Sequence, residues 1–308
     1  MLFSDRFLRS AFIFAGVTLL ATMFSFGCFA AWEFTVDDAY ISLRYASHLA
    51  DSQGLVWNRG EGPVEGFTNF LWVIFLSVAS WWRLDPMVAA KVLGIASHAG
   101  TTLLIGWFVR RETGRLASAV LGSAAYLLFL PAYFHAVSGL ETAFYGFLLT
   151  LMFVIGYRVV TERPETSSGA MLLPFLGIVL GMTRPDGLLP AAWVIIASLL
   201  SMGVSGQKKM MAAVLAATVI GGIYMVWRVQ YFGFLLPNTA YLKGGQLSSG
   251  LEWLRSTVMF LAPMLVLAVL GASARRPGEQ RGMALFLGFV ASALEMVEEI
   301  PDFLPELV

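Results

Sequence analysis

Residues 11–32 read AFIFAGVTLLATMFSFGCFAAW, an uninterrupted apolar stretch that decides the class of fold. About 20 apolar residues cross the hydrocarbon core of a bilayer as one helix. Arg6 and Arg9 precede the stretch, and acidic residues follow it from Glu33 onward. A cleaved secretory signal has a shorter apolar core and a small-residue cleavage site. The stretch therefore predicts an uncleaved membrane span whose N-terminus lies in the cytoplasm.

The composition extends this conclusion to the whole chain. Its 308 residues are 58% hydrophobic and 13% charged, with a mean hydropathy of +0.74. Soluble domains are about 45–50% apolar and about 25% charged, so much of this apolar surface must face lipid. The net charge is zero and no basic block occurs, which argues against a nucleic-acid partner. The single cysteine, Cys28, excludes an internal disulfide.

Further apolar runs follow, each near or somewhat below the length that spans a bilayer. They cover residues 68–82, 86–109, 116–134, 142–160, 170–183, 187–204, 210–231 and 256–274. The sequence therefore predicts an all-α, polytopic transmembrane bundle of roughly nine spans. We expect residues 1–245 to form one transmembrane module. Residues 246–308 are expected to hold further membrane segments that are truncated or frame-shifted, since an acidic, proline-containing tail follows a short apolar run.

The charges between the runs predict which side of the membrane each loop occupies. The positive-inside rule places the basic segments in the cytoplasm; these are residues 110–115, 208–209 and 275–276. Alternation then places the other polar segments outside, with Asp37 and Asp38; these are residues 138–142, 184–187 and 231–243. The number of spans between the first outer loop and Arg110 stays open. The chain must cross the membrane an odd number of times to pass from the outside to the cytoplasm, but two apolar runs lie in this interval. One of these runs is expected to be re-entrant or interfacial.

The first outer loop, residues 33–67, is too polar for hydrocarbon and long for a membrane connector. Residues 38–51 have the pattern of an amphipathic helix that lies flat on the membrane. Its predicted polar stripe contains Asp37, Arg44, His48 and Asp51. The spaced glycines and the proline of residues 54–63 predict a turn-rich loop, after which residues 65–69 return to the membrane.

The adjacent carboxylates Asp37 and Asp38 allow two interpretations. An aspartate before a helix often caps it by accepting backbone N–H bonds. Paired carboxylates beside a membrane also suit general-base or metal chemistry. Arg44 could bind a phosphate by charge-assisted hydrogen bonds. It could equally form an ion pair with Asp37 or Asp51.

The residues Asp37 to Tyr45, reading DDAYISLRY, resemble the acidic first-loop motif of the GT-C superfamily of membrane glycosyltransferases. The most similar branch is that of the mycobacterial terminal arabinofuranosyltransferases and many bacterial relatives. The further patches that carry the resemblance are GLVWN at 54–58, VEGFTN at 64–69, SGLET at 138–142, TRPDG at 183–187, YFG at 231–233, PNT at 237–239 and Lys243. Their order and shared outer placement make the combination informative, and the resemblance covers roughly residues 10–245.

The resemblance implies an inverting transfer of a sugar from a polyprenyl-phosphate donor to a cell-envelope glycan, lipid or protein at the outer face of the inner membrane. It implies that Asp37 or Asp38 is the catalytic base, and we favour Asp37 because it shares the polar stripe with Arg44. The expected substrate-binding residues are Arg44, Glu65, Asn69, Glu141, Arg184, Asp186, Asn238 and Lys243. No cofactor is certain; a divalent cation remains open, and Asp37 and Asp38 would bind it.

Ordinary structural roles also fit several of these residues. Glu65 could form a turn or a cap, Arg184 could pair with Asp186, and Lys243 could extend along the interface. Two other functions stay open. A transporter would need ionisable residues within its spans, for which Lys91 and His98 are the candidates. The chain could also be an inactive remnant or a partner subunit, as the unusual C-terminal tail suggests.

Overall fold

A computed structural model describes residues 5–162 and 169–235 of the chain. These residues form helices, short 3-10 turns and loops, and no strand occurs among them, which confirms the predicted all-α class. The helices are α1 (Asp5–Ala31), α2 (Ala39–Ala50), α3 (Phe70–Trp81), α4 (Pro86–Thr113), α5 (Leu116–Leu127), α6 (Pro131–Val137), α7 (Thr142–Glu162), α8 (Leu173–Thr183), α9 (Leu188–Ser201) and α10 (Val204–Phe232).

Among the described residues, fewer helices are long enough to span a membrane than the apolar runs there predict. Within the part of the chain that the structure describes, α1, α4, α7 and α10 are long and apolar enough to cross a membrane. Helices α5 and α6 form a pair bent by 69°, which would add a fifth, broken span. The other apolar helices have 10–17 residues, or at most about 25 Å against a hydrocarbon core of about 30 Å. The roughly nine predicted spans are therefore not confirmed, and the run at 256–274 lies outside the described residues.

Turn residues explain why apolar runs of similar composition give helices of such different length. Helix α4 starts at Pro86, after Asp85 accepts hydrogen bonds from the backbone of Met87 (2.8 Å) and Val88 (3.2 Å). It continues for 28 residues and ends at Gly114, whose φ of +67° suits glycine. By contrast, Pro185 separates α8 from α9, since proline cannot continue a helix.

The described residues form two compact units, of which the first comprises residues 5–62 and 71–151. Here α4 packs against α5 and α6, α1 packs against the same pair, and α2 contacts α4. Cys28 and Ala31 of α1 meet Leu127, Tyr133 and Val137 in a buried apolar cluster. The cluster joins the C-terminal end of α1 to α5 and α6.

The second unit comprises residues 63–70, 152–162 and 169–235. In it α8 packs against α9 and α10. The aromatic ring of Phe70 lies 5.0 Å from that of Tyr224 and 5.4 Å from that of Trp227, both on α10. The return of the first loop therefore belongs to the same unit as α10.

Large apolar side chains remain exposed on the candidate spans. Examples on α1 are Phe14 and Phe29, exposed by 74% and 82%, and on α10 Leu215 and Ile223 are each 66% exposed. Soluble monomers rarely leave contiguous apolar surface of this kind uncovered. The exposed apolar helices indicate a membrane protein.

Candidate functional site

The predicted amphipathic helix of the first loop is confirmed as α2. Leu43, Tyr45 and Ala46 are buried, and Arg44 is exposed on the other side. His48 departs from the predicted exposed stripe, since it is 8% exposed and its Nδ1 lies 2.9 Å from the carbonyl oxygen of Val56. The loop that follows folds back over this side of α2, so the side chain is covered although its helical position is polar.

Arg44 organises that loop. Its Nε donates to the carbonyl oxygen of Trp57 at 2.8 Å and its Nη2 donates to Oδ1 of Asn58 at 2.9 Å. The guanidinium also lies 4.2 Å from the centre of the Trp57 ring, a favourable cation–π contact. Asp51 pairs with Arg59 at 3.0 Å, so the alternative of an Arg44–Asp51 ion pair is wrong.

Asp37 and Asp38 lie in the turn that leads into α2, and both are exposed. Asp38 occupies the capping position with φ −57° and ψ −23°, and its carboxylate makes no hydrogen bond to the helix. The main chain closes the turn instead, through a bond of 3.0 Å from Tyr40 N–H to the Asp37 carbonyl oxygen. Side-chain capping therefore does not account for the exposed Asp38.

The SGLET patch at 138–142 docks against this turn within the first unit. The Val36 N–H donates to the Ser138 carbonyl oxygen at 3.1 Å. Gly139 has a φ of +89°, and a Cβ atom there would lie 2.8 Å from the Cβ of Ala39. Trp72 Nε1 donates to the Gly139 carbonyl oxygen at 3.0 Å. Two patches that the resemblance groups together, about 100 residues apart, are thus in direct contact.

Glu141 of the same patch is buried, with 5% of its surface exposed. Its carbonyl oxygen accepts from Tyr145 N–H at 2.8 Å, which starts α7. Glu141 is therefore fixed at the N-terminal boundary of α7, beside the residue that holds Val36. The structure brings the patch of Glu141 to the motif of Asp37 and Asp38.

Lys91 secures the segment that precedes the two aspartates. Its Nζ donates to the carbonyl oxygens of Trp32 (2.5 Å) and Phe34 (3.0 Å), just after α1 ends. The ammonium also lies 5.2 Å from the centre of the Trp32 ring. This buried lysine, which the sequence offers as a transport residue, anchors the start of the first loop.

The remaining predicted residues belong to the second unit or lie outside the described residues. Glu65 and Asn69 are both buried, with 5% and 6% of their surface exposed. Both carboxylate oxygens of Glu65 accept hydrogen bonds from Arg228, at 2.6 Å and 2.5 Å. Asn238 and Lys243 fall outside the described ranges.

Arg228 is a residue that the sequence patterns do not identify. It lies in the apolar run 210–231, in α10, and its side chain is 7% exposed. The available signal is its charge, because an ionisable residue within a membrane span is costly and is kept for a specific contact. Its partner Glu65 lies 163 positions away, and no local pattern connects the two.

Arg184 follows α8 in an extended conformation, and its Nε lies 3.4 Å from Oδ1 of Asp186. The TRPDG patch, residues 183–187, thus forms a turn in which Arg184 contacts Asp186. Both side chains keep some exposure, 16% and 29%. The pair presents one cation and one carboxylate at the end of α8.

A metal site would need more ligands than the two aspartates. Across residues 5–162 and 169–235, no group of three or more His, Cys, Asp or Glu side chains is arranged to hold a metal ion. Oxygen-rich sites for divalent cations use six or more ligands, some of them water.

No protein-family model matches the chain, and no solved structure is significantly similar to it. Two curated relatives are named terminal beta-(1->2)-arabinofuranosyltransferase. The protein of Mycobacterium tuberculosis is 28% identical over 261 residues, covering 78% of this chain and 39% of the relative. The protein of Corynebacterium glutamicum is 26% identical over 254 residues, covering 74% of this chain and 36% of the relative.

This chain therefore spans well under half the length of the curated relatives that it matches. The aligned part nevertheless extends over most of the chain. The resemblance predicted from the motifs is confirmed: over most of its length the chain is similar to terminal arabinofuranosyltransferases, which are membrane glycosyltransferases of the GT-C superfamily.

Proposed function

We propose that the chain is an inverting glycosyltransferase that moves a sugar from a polyprenyl-phosphate donor to a cell-envelope glycan, lipid or protein at the outer face of the inner membrane. The observation that carries the proposal is the docking of the 138–142 patch on the turn of Asp37 and Asp38, through the bond between Val36 and Ser138. The similarity to arabinofuranosyltransferases supports the same reaction class.

The proposed reaction is a direct displacement at the anomeric carbon. Asp37 removes the proton of the acceptor hydroxyl as its oxygen forms the new bond to the anomeric carbon. The bond from that carbon to the phosphate oxygen breaks on the opposite face, and the polyprenyl phosphate leaves with the electron pair. Asp38 orients the base and adds negative charge that stabilises the oxocarbenium-like sugar.

The other polar residues of the motifs bind the substrates in this proposal. Arg184 and Lys243 interact with the donor phosphate, whose charge grows as the bond to the sugar breaks. Arg44 is a further phosphate ligand, and its exposed guanidinium keeps donors beyond the two used in the loop. Sugar hydroxyls bind to Glu141, Asn69, Asp186 and Asn238.

Contacts of the charged residues within candidate spans favour a transferase over a transporter. Lys91 binds the main chain at the start of the first loop, and Arg228 binds Glu65 at its end. A transport pathway needs ionisable groups that line a route across the bilayer. Here these cations hold a loop at the end of their helices.

A transfer assay tests the proposal. Membranes from cells that produce the full chain are incubated with a panel of radiolabelled polyprenyl-phosphate sugars and an envelope extract as acceptor. We expect label to move from the lipid to a lipid-free or larger product with at least one donor. Membranes carrying the Asp37→Asn, Asp38→Asn double variant at equal abundance are the control. Equal label transfer by both membranes, for every donor, contradicts the proposal.

A further inference from the structure

The ion pair between Glu65 and Arg228 ties together two segments of the second unit. The Nε and Nη2 atoms of Arg228 bind the two oxygens of Glu65, and its Nη1 donates to the Leu235 carbonyl oxygen at 2.7 Å. Two parallel bonds fix the plane of the carboxylate against that of the guanidinium. Arg228 therefore holds the loop return and the chain just after α10 with one side chain.

Both charges are removed from solvent, with side-chain exposures of 7% for Arg228 and 5% for Glu65. A buried charge is tolerated when its partner compensates it, and loss of one partner is strongly destabilising. Aromatic side chains that lie near Glu65 and Arg228 in the sequence also pack against each other. These contacts are Phe67 with Phe232, and Phe70 with Tyr224 and Trp227.

The pair lies at the edge of two motif patches. Glu65 is part of the patch at 64–69, and Leu235 lies two residues before the patch that begins at Pro237. Both oxygens of the Glu65 carboxylate bind Arg228, and the side chain is covered from solvent. A residue that fixes Glu65 controls where the polar groups of the 64–69 patch lie.

We infer that Arg228 is a positioning residue of the transferase site, that it acts through Glu65, and that Glu65 itself contacts no sugar. This inference rests on the proposed function and replaces the sugar-binding role expected for Glu65. It differs from a purely structural role because it predicts a change in turnover of the folded protein, and not only in the amount of protein.

The test compares Glu65→Gln, Arg228→Gln and the double variant in the full chain. Turnover is measured per molecule of monodisperse protein after detergent extraction. Each single variant leaves a buried charge without its partner and shifts the loop return. We expect turnover per molecule to fall at least about tenfold, as small displacements in an active site do. In the double variant the two amides can hydrogen-bond in place of the ions, so we expect turnover within about threefold of the wild type.

Arg158→Gln is the matched control, because Arg158 pairs with Glu162 in an exposed i,i+4 contact at 3.4 Å; we expect wild-type turnover. Unchanged turnover per molecule in Arg228→Gln overturns the positioning role. Low turnover of well-folded Glu65→Gln, Arg228→Gln protein also overturns it, since Glu65 then serves the substrate directly. A wild-type chain without transfer activity overturns the proposed function itself, and the positioning role with it.

Discussion

Gly139 is the residue on which the docking of the two motif patches depends most directly. Its φ of +89° is a left-handed conformation, and an added Cβ would come within 2.8 Å of the Ala39 side chain. Backbone strain of this kind costs about 1–3 kcal/mol for a residue other than glycine. Ala39 begins α2, so relief of the clash would move the turn that holds Asp37 and Asp38.

We therefore predict that Gly139→Ala lowers transfer activity by about tenfold or more while part of the protein still folds. Gly146→Ala is the control, since a Cβ at this helical position of α7 meets no atom within 4 Å. That variant should keep its activity and gain slightly in stability. Transfer activity per folded molecule is the measurement. Equal activity of the Gly139 and Gly146 variants would contradict the importance of this contact.

At the residue scale the sequence predicts which polar residues are of interest better than it predicts which residues they contact. The DDAYISLRY motif singles out Asp37, Asp38 and Arg44, and the structure places the two aspartates in the turn before α2 and Arg44 in the middle of that helix. The contacts of Arg44 with Trp57 and Asn58 depend on how a turn-rich loop closes, which periodicity does not encode. Arg228 and Glu65 meet across 163 positions, so their pairing is a property of tertiary structure alone.

At the scale of elements, α2 and the loop after it form a single substructure. The sequence predicts a helix at 38–51, and α2 spans Ala39–Ala50, because apolar positions that recur every three to four residues define an amphipathic helix. Gly54 and Gly60 both have a φ of +82°, as expected for a turn-rich loop. Arg44 then joins helix and loop through two hydrogen bonds and the ring of Trp57.

Loss of Arg44 should therefore loosen the loop. We predict that Arg44→Gln increases the rate of trypsin cleavage after Arg59, an exposed loop residue, severalfold in detergent. The glutamine is too short to keep the contacts at Trp57 and Asn58 together. Arg110→Gln, at the last turn of α4, is the control and should leave the rate unchanged. The same cleavage rate in all three proteins would show that Arg44 does not stabilise the loop.

The sequence does not predict the lengths of several helices correctly. Apolar runs at 68–82, 170–183 and 187–204 predict spans, whereas the structure forms helices of 10–17 residues at these places. Hydropathy averages over a window and does not register where a proline or glycine ends a helix. For 68–82 the short helix fits the expectation that one of the two runs before Arg110 does not cross the membrane.

At the scale of the whole molecule, the first prediction concerns topology. Cys28 is the single cysteine and is buried in α1. A cysteine introduced at an exposed position can therefore be labelled without interference from Cys28. Gly62→Cys in the first loop should react with an impermeant thiol reagent in intact spheroplasts. Arg115→Cys and Gly203→Cys, beside the basic segments, should react after lysis only. Labelling of Gly62→Cys only after lysis would place the proposed site on the wrong side.

The order of the motifs along the chain predicts the family resemblance, and the curated relatives confirm it. Neither the sugar nor the acceptor follows from the chain, because specificity depends on the shape of a pocket and not on the presence of carboxylates. What the reaction class does require is a base at the acceptor hydroxyl. The central claim is that Asp37 is this base.

The most direct test compares turnover by the wild type, Asp37→Asn and Asp38→Asn with one radiolabelled polyprenyl-phosphate sugar. The amide keeps the size of the carboxylate and removes its basicity. We predict that Asp37→Asn lowers turnover by about 10²–10⁴-fold, the usual effect of losing a general base, while donor binding and abundance stay close to the wild type. Near-normal turnover of Asp37→Asn would contradict this assignment, and near-normal turnover of both variants would contradict general-base catalysis by the first-loop motif.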